Sequence, residues 1–319
     1  MTWRKACAAG ALFACALFLV GRPAQALVPL AGSDATDISA TRLGAPERFM
    51  LYPSPDGRRW VYAGGPRGKL GARQLFVCDR YGENVTQITH DETLKVPGPW
   101  SPDGRRILYI EAQVSESGRS IRQRLVCINA DGSGKRVLSP RGVFLYLPVW
   151  SPDGRRIIFG SPRGLGMISA EGGQTTRLFG TDDPHRSQRC FPVAWLSAPP
   201  AALGSKAAGW GECVLYVTYT EKTELGRRGQ FYLLNLDTLE RIFLGQAVCL
   251  VPQASADCSV IAYFDWAGNL YVANPWRLNP RRVARCNGIM GLAPDGKLLL
   301  YGRYGPELRF LRVPDLGGE

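Results

Sequence analysis

An all-β fold, a six-bladed β-propeller of four-stranded blades, is what this sequence predicts, and three observations carry the prediction. The first is a recurring turn: Trp100-Ser101-Pro102-Asp103-Gly104-Arg105-Arg106 returns as Trp150-Ser151-Pro152-Asp153-Gly154-Arg155-Arg156. An earlier copy runs Pro53-Ser54-Pro55-Asp56-Gly57-Arg58-Arg59, and a later one Ala293-Pro294-Asp295-Gly296-Lys297. A worn copy reads Ala254-Ser255-Ala256-Asp257-Cys258-Ser259. The second observation is spacing: Asp56 to Asp103 is 47 residues and Asp103 to Asp153 is 50, near the period of propeller blades. The third is the apolar, aromatic-rich run after each turn, suited to a strand buried on both faces. Proline sets φ at the first corner, Asp bonds the backbone just beyond it, and Gly accepts φ > 0.

In chain order, the first stretch is a leader. Arg4 and Lys5 precede an apolar run from Ala6 to Val20, and Ala24-Gln25-Ala26 supplies the small residues that signal peptidase reads. Residues 1–26 are therefore expected to be a signal peptide cleaved after Ala26, which predicts a periplasmic or secreted protein. The apolar run is too short for a comfortable membrane span. Residues 27–36 form a short N-terminal segment, 37–315 the propeller and 316–319 a tail.

The second repeat displays the whole unit: strands at 96–100, 107–111, 124–129 and 135–138, with Asp131-Gly132 turning between the last two. The first repeat supplies later strands at 60–63, 74–78 and 85–89, and the third at 157–160, 166–170 and 175–179. Between Asp153 and Asp257 there is room for one further unit, with strands at 191–196, 213–219, 230–236 and 240–244. Its first turn is replaced by a small-residue insertion from Ser197 to Gly211. Units five and six cover 250–283 and 288–313. The sixth lacks an outer strand, and Ser39-Ala40-Thr41-Arg42-Leu43, which reads like Gln174-Thr175-Thr176-Arg177-Leu178, is expected to supply it. A ring closed by its own N-terminal strand hides an otherwise exposed sheet edge.

Composition narrows function less than fold. The formal charge of +12 falls to about +9 when Arg4, Lys5 and Arg22 leave with the leader. Seven of the nine cysteines remain, without a Cys-x-x-Cys pair and with only two histidines in the chain, so a zinc site of the usual kind is not expected. In an oxidising compartment some thiols should pair. Equivalent positions in adjacent blades single out Cys249–Cys286 and Cys213–Cys258, although spacing alone does not fix connectivity.

The repeats resemble the WD40-like propeller repeats of the TolB family, in which Trp-Ser-Pro-Asp-Gly-(Arg/Lys)-Arg opens the second strand of each blade. The resemblance covers the propeller part only: TolB proteins also carry an N-terminal α/β domain, for which this chain has no room. It implies the fold, and by analogy a protein partner in the cell envelope.

Strand alternation puts the Pro-Asp-Gly turns on one face of the ring. Arg58, Arg59, Arg105, Arg106, Arg155, Arg156 and Lys297 gather there as a basic arc suited to a polyanion or peripheral membrane contact. The plainer reading is that long arginine stems cover turn backbone and keep the face soluble. The longer loops are expected on the other face, with His90 and Asp91 in one and Asp182 and His185 in another. Two imidazoles with carboxylates are what a divalent metal or an acid–base site would need; a plain turn cap explains them as well. There is no Gly-x-Ser-x-Gly elbow, His-Glu-x-x-His helix or phosphate-cradling Gly-x-x-x-x-Gly-Lys-(Ser/Thr) loop. The sequence therefore points to a monomeric, non-enzymatic scaffold for an envelope protein, without cofactor or nucleic acid. A propeller enzyme acting on a glycan at the channel mouth, as lyase or hydrolase, is the alternative.

Overall fold

The computed structural model describes residues 37–42, 47–65, 73–114, 121–139, 145–161, 164–180, 189–223, 226–265, 267–286, 290–302 and 307–316. The proposed leader, its cleavage point after Ala26 and the 27–36 segment lie outside these residues.

Among the described residues, twenty-four strands form six four-stranded antiparallel sheets. Strand β1 (Asp37–Arg42) comes first and belongs to the last blade. Blade one holds β2 (Glu47–Pro53), β3 (Arg59–Gly65), β4 (Gln74–Asp79) and β5 (Thr86–Gln87). Blade two holds β6 (Leu94–Trp100), β7 (Arg106–Val114), β8 (Ile121–Asn129) and β9 (Arg136–Val137). Blade three holds β10 (Tyr146–Trp150), β11 (Arg156–Ser161), β12 (Gly164–Ser169) and β13 (Thr176–Gly180). Blade four holds β14 (Arg189–Leu196), β15 (Cys213–Thr223), β16 (Gly226–Asn235) and β17 (Arg241–Val248). Blade five holds β18 (Leu250–Ala254), β19 (Ile261–Phe264), β20 (Asn269–Ala273) and β21 (Arg281–Arg285). Blade six runs β22 (Met290–Leu292), β23 (Leu298–Gly302) and β24 (Glu307–Arg312), and β1 completes it in the register Thr41 opposite Leu308 and Ala40 opposite Arg309. The inner strands β2, β6, β10, β14, β18 and β22 each contact the next, and β22 returns to β2, which closes the ring.

The repeated turn is held by its serine. Ser101 Oγ accepts the Arg106 N–H at 2.9 Å and donates to Asp103 Oδ1 at 2.5 Å, and Asp103 Oδ1 accepts the Arg105 N–H at 3.1 Å. The same bonds recur from Ser54, Ser151 and Ser255. Blade six has Ala293 at this place, and only the aspartate bond survives, from Lys297 N to Asp295 Oδ1 at 3.0 Å. The turn glycines lie at φ 67 to 69°, and Cys258 holds the same left-handed position at φ 55°.

The core lies between blades. Trp60, Trp100, Trp150 and Trp195, each near the start of strand two or the end of strand one, are all buried. Trp100 Nε1 donates to Tyr52 O of blade one at 3.0 Å, and Trp150 Nε1 to Pro99 O of blade two at 3.2 Å. Strand-two tyrosines stack on strand-three aromatics within a blade, as Tyr62 on Phe76 and Tyr263 on Tyr271, both with centroids 5.6 Å apart.

Blade four departs where its turn is lost. The insertion folds into a kinked 3-10 segment, Ala201–Ala207, with Leu203 and Trp210 packed onto the core. The disulfide expectation is corrected. All seven cysteines from Cys78 to Cys286 are buried and outside any disulfide, so neither Cys249–Cys286 nor Cys213–Cys258 is bonded. Cys249 sits in the large interblade core and Cys286 in the core shared by blades five and six, so equivalent numbering did not make them partners. Cys213 and Cys258 share one core, yet remain thiols.

Candidate functional site

The arginines of the turn face divide by position in the motif. The first of each pair, Arg58, Arg105 and Arg155, is exposed, whereas the second, Arg59, Arg106 and Arg156, is half-buried. Each second arginine reaches the next blade. The Arg59 guanidinium lies 4.6 Å from the Trp100 ring centroid and donates to Gly104 O at 3.2 Å. Arg106 lies 5.0 Å from the Trp150 ring and donates to Gly154 O at 3.4 Å. Arg156 lies 5.0 Å from the Trp195 ring. Blade four has no turn glycine to accept from it, and Glu212 Oε2 takes the bond instead at 2.6 Å. Three of the seven cations of the basic arc are thus engaged between blades, leaving Arg58, Arg105, Arg155 and Lys297 as its outward charge.

The opposite face carries the other candidates. His90 and Asp91 lie between β5 and β6, and His90 is exposed. His185 and Asp182 lie outside the described residues, so the proposed imidazole pair is not placed. Asp91 instead belongs to a charge network that its sequence neighbours do not announce. Its Oδ1 accepts the Thr93 N–H at 2.9 Å and the Thr93 hydroxyl at 2.6 Å, and it pairs with the Lys95 ammonium. Its Oδ2 takes Lys135 Nζ at 2.9 Å. Lys135 also stands 2.9 Å from Glu111 Oε2, close enough to pair charges without hydrogen-bond alignment, and Arg124 donates to Glu111 Oε1 at 2.5 Å. The order is Lys95, Asp91, Lys135, Glu111, Arg124, with signs alternating and cations at both ends.

Local folding explains the order. Lys95 and Glu111 are directly opposite in the β6–β7 ladder, and Glu111 is opposite Arg124 in the β7–β8 ladder. Such cross-strand neighbours interact through their side chains. Gln74 of blade one holds the loop, its amide donating to Thr93 O at 3.3 Å and to Asp91 O. Lys95 is fully buried and also donates to Thr93 O at 3.0 Å.

The electrostatics follow burial and partners. Partial burial works to raise the Asp91 carboxyl, but bonds from Lys95, Thr93 and Lys135 outweigh it and hold Asp91 well below the usual carboxylate range. Glu111 is lowered likewise: burial opposes, and Lys135 and Arg124 prevail. Burial draws the Lys95 ammonium below the ordinary lysine value in spite of Asp91. Both carboxylates therefore stay ionised and occupied, which leaves neither poised as a proton acceptor at neutral pH.

A cavity of about 330 Å³ opens over this network, lined by Asp91, Thr93, Glu111, Gln113, Arg122, Arg124 and Lys135. Among the described residues no group of three His, Cys, Asp or Glu side chains is placed to share a metal ion. No described helix is long and apolar enough to cross a membrane. Sequence reasoning pointed to Asp91 but missed Lys95, Glu111, Arg124 and Lys135. The available signal was a lysine and a glutamate inside two otherwise apolar strand segments of one blade.

No protein-family model matches the chain, and neither does any curated protein sequence. Solved structures do match in fold. An oligogalacturonate lyase in complex with manganese is 15% identical with a TM-score of 0.53, over 89% of this chain and 94% of that one. TolB from Acinetobacter baumannii is 15% identical with a TM-score of 0.57; the match covers 81% of this chain and 64% of TolB. A putative TolB from Agrobacterium tumefaciens is 15% identical with a TM-score of 0.53, over 84% and 91%. These likenesses establish a TolB-like six-bladed propeller architecture. At such identity they carry fold and not activity.

Proposed function

We propose that this chain is an exported, TolB-like propeller that serves as a non-enzymatic interaction scaffold for a protein of the cell envelope. The observation that carries the reading is how the site's charges are spent. Asp91 and Glu111 are each tied to two cations, so the loop face offers a fixed, charged recognition surface on a rigid ring. Arg122, which forms no ion pair among the described residues, stands at the cavity beside those fixed pairs. The scaffold acts as a monomer in the periplasm after cleavage at Ala26, and needs neither cofactor nor nucleic acid.

The test is a crosslinked pull-down of residues 27–319 from the cell envelope. One stoichiometric protein partner, retained by the His90→Ala/His185→Ala double variant, is the expected result. A second reading, a glycan lyase or hydrolase with metal assistance from His90, Asp91, Asp182 and His185, draws support from the fold likeness to an oligogalacturonate lyase bound to manganese. Turnover of an acidic oligosaccharide that disappears in the same double variant would overturn the scaffold reading.

A further inference from the structure

We infer that the blade-two cavity binds a carboxylate on an acidic peptide segment of that partner, an inference that rests on the scaffold function proposed above. Charge balance gives the sign. Among the described lining residues three cations, Arg122, Arg124 and Lys135, stand against two carboxylates, and the buried Lys95 pairs with Asp91. Both carboxylates already hold two internal cations each, so among the described residues lining the cavity no carboxylate is left to neutralise Arg122. Arg122 is exposed, opposite Gln113 in the β7–β8 ladder, and makes no ion pair among the described residues. A guanidinium there offers the planar fork that a carboxylate fills with two parallel bonds.

Size and lining choose the class of ligand. About 330 Å³ is at the small end of ligand cavities, enough for one or two acidic side chains. Among the described residues no aromatic ring lines it, so these residues give a sugar ring no flat apolar surface to lie against. Gln113 instead supplies a side-chain amide, a donor and acceptor that pairs with a peptide backbone. A fixed cavity floor also spares the entropy of ordering its cations when the ligand arrives, because Arg124 and Lys135 are already held by Glu111.

The test uses the full mature chain and a fluorescent Glu-rich octapeptide, with a Gln-substituted peptide as the neutral control. Saturable binding of the acidic peptide alone is expected, weakened about tenfold by Arg122→Ala and largely restored by Arg122→Lys. Binding should also weaken as salt is raised. Equal binding of both peptides, or unchanged affinity in Arg122→Ala, would overturn the inference. So would binding of digalacturonate but not of peptide, which assigns the cavity to acidic sugars. If Arg122→Glu still retains a stoichiometric envelope partner, this site fails while the scaffold function stands. Loss of the partner from the wild-type chain sinks the function itself.

Discussion

The Arg59 guanidinium lies 4.6 Å over the Trp100 ring, and Arg59 belongs to blade one whereas Trp100 belongs to blade two. One contact thus joins the second arginine of a turn to the tryptophan before the next turn. The joint is reciprocal, since Trp100 Nε1 returns a hydrogen bond to Tyr52 O of blade one. Arg106 repeats it on Trp150, and Arg156 on Trp195. The repeat is therefore an interblade fastener as well as a turn.

Removing the fastener should cost stability selectively. Arg59→Ala is expected to lower unfolding free energy by about 1–2 kcal/mol, from the lost ring contact and the bond to Gly104 O. Arg58→Ala, one residue away and exposed, should change it by no more than about 0.5 kcal/mol. Thermal unfolding of both variants checks this. Equal shifts would mean that the two arginines play the same part.

The turn serine makes a prediction in both directions. Ser101→Ala strips the acceptor from the Arg106 N–H and one donor from Asp103, at a cost of about 1–3 kcal/mol. Ala293→Ser should do the reverse in blade six, where a buried alanine occupies the serine place, and add about 1 kcal/mol. Denaturant midpoints at constant slope give the answer. Destabilisation by Ala293→Ser would show that the site is too tight for a hydroxyl.

These relationships mark what the sequence could and could not disclose. The turn is local, so Pro102-Asp103-Gly104 announces itself, and regular spacing turns five copies and a gap into six blades. Even the closing strand was legible: expected at 39–43, it pairs with β24 as Asp37–Arg42. The division of labour between Arg105 and Arg106 was not legible, because it depends on where the next blade's tryptophan comes to lie. Glu212 standing in for a turn glycine's carbonyl was hidden for the same reason. The Lys95–Asp91–Lys135–Glu111–Arg124 order joins the β5–β6 loop to β6, β7, β8 and the residue before β9, so it depends on how blade two pairs its strands.

The thiols give a third prediction. Burial pushes Cys190, Cys213 and Cys249 up to about 12, far from a reactive thiolate at neutral pH. Native protein should resist an alkylating reagent and release all seven mature thiols only on unfolding, as counted by intact mass. Reductant should leave the melting temperature unchanged. A reductant-sensitive melt would reveal a disulfide, and the shared core of Cys213 and Cys258 is where to look for it.

The last prediction concerns Asp91 and acid. Its folded pKa is depressed below the unfolded value of about 3.9, so its contribution is full above about pH 4 and is lost as pH falls towards the folded value. Asp91→Asn should flatten that part of the acid limb, leaving the part due to the turn aspartates Asp56, Asp103, Asp153 and Asp257, which are lowered too. At neutral pH the same variant leaves the buried Lys95 ammonium without its carboxylate, a loss on the order of 3 kcal/mol. Lys95→Met in the Asp91→Asn background removes the stranded charge and should recover most of it. A double-mutant cycle measured by urea unfolding at pH 7 decides the matter. Additive losses would mean that Lys95 finds another counterion, and that Asp91 is free to meet a ligand at the cavity.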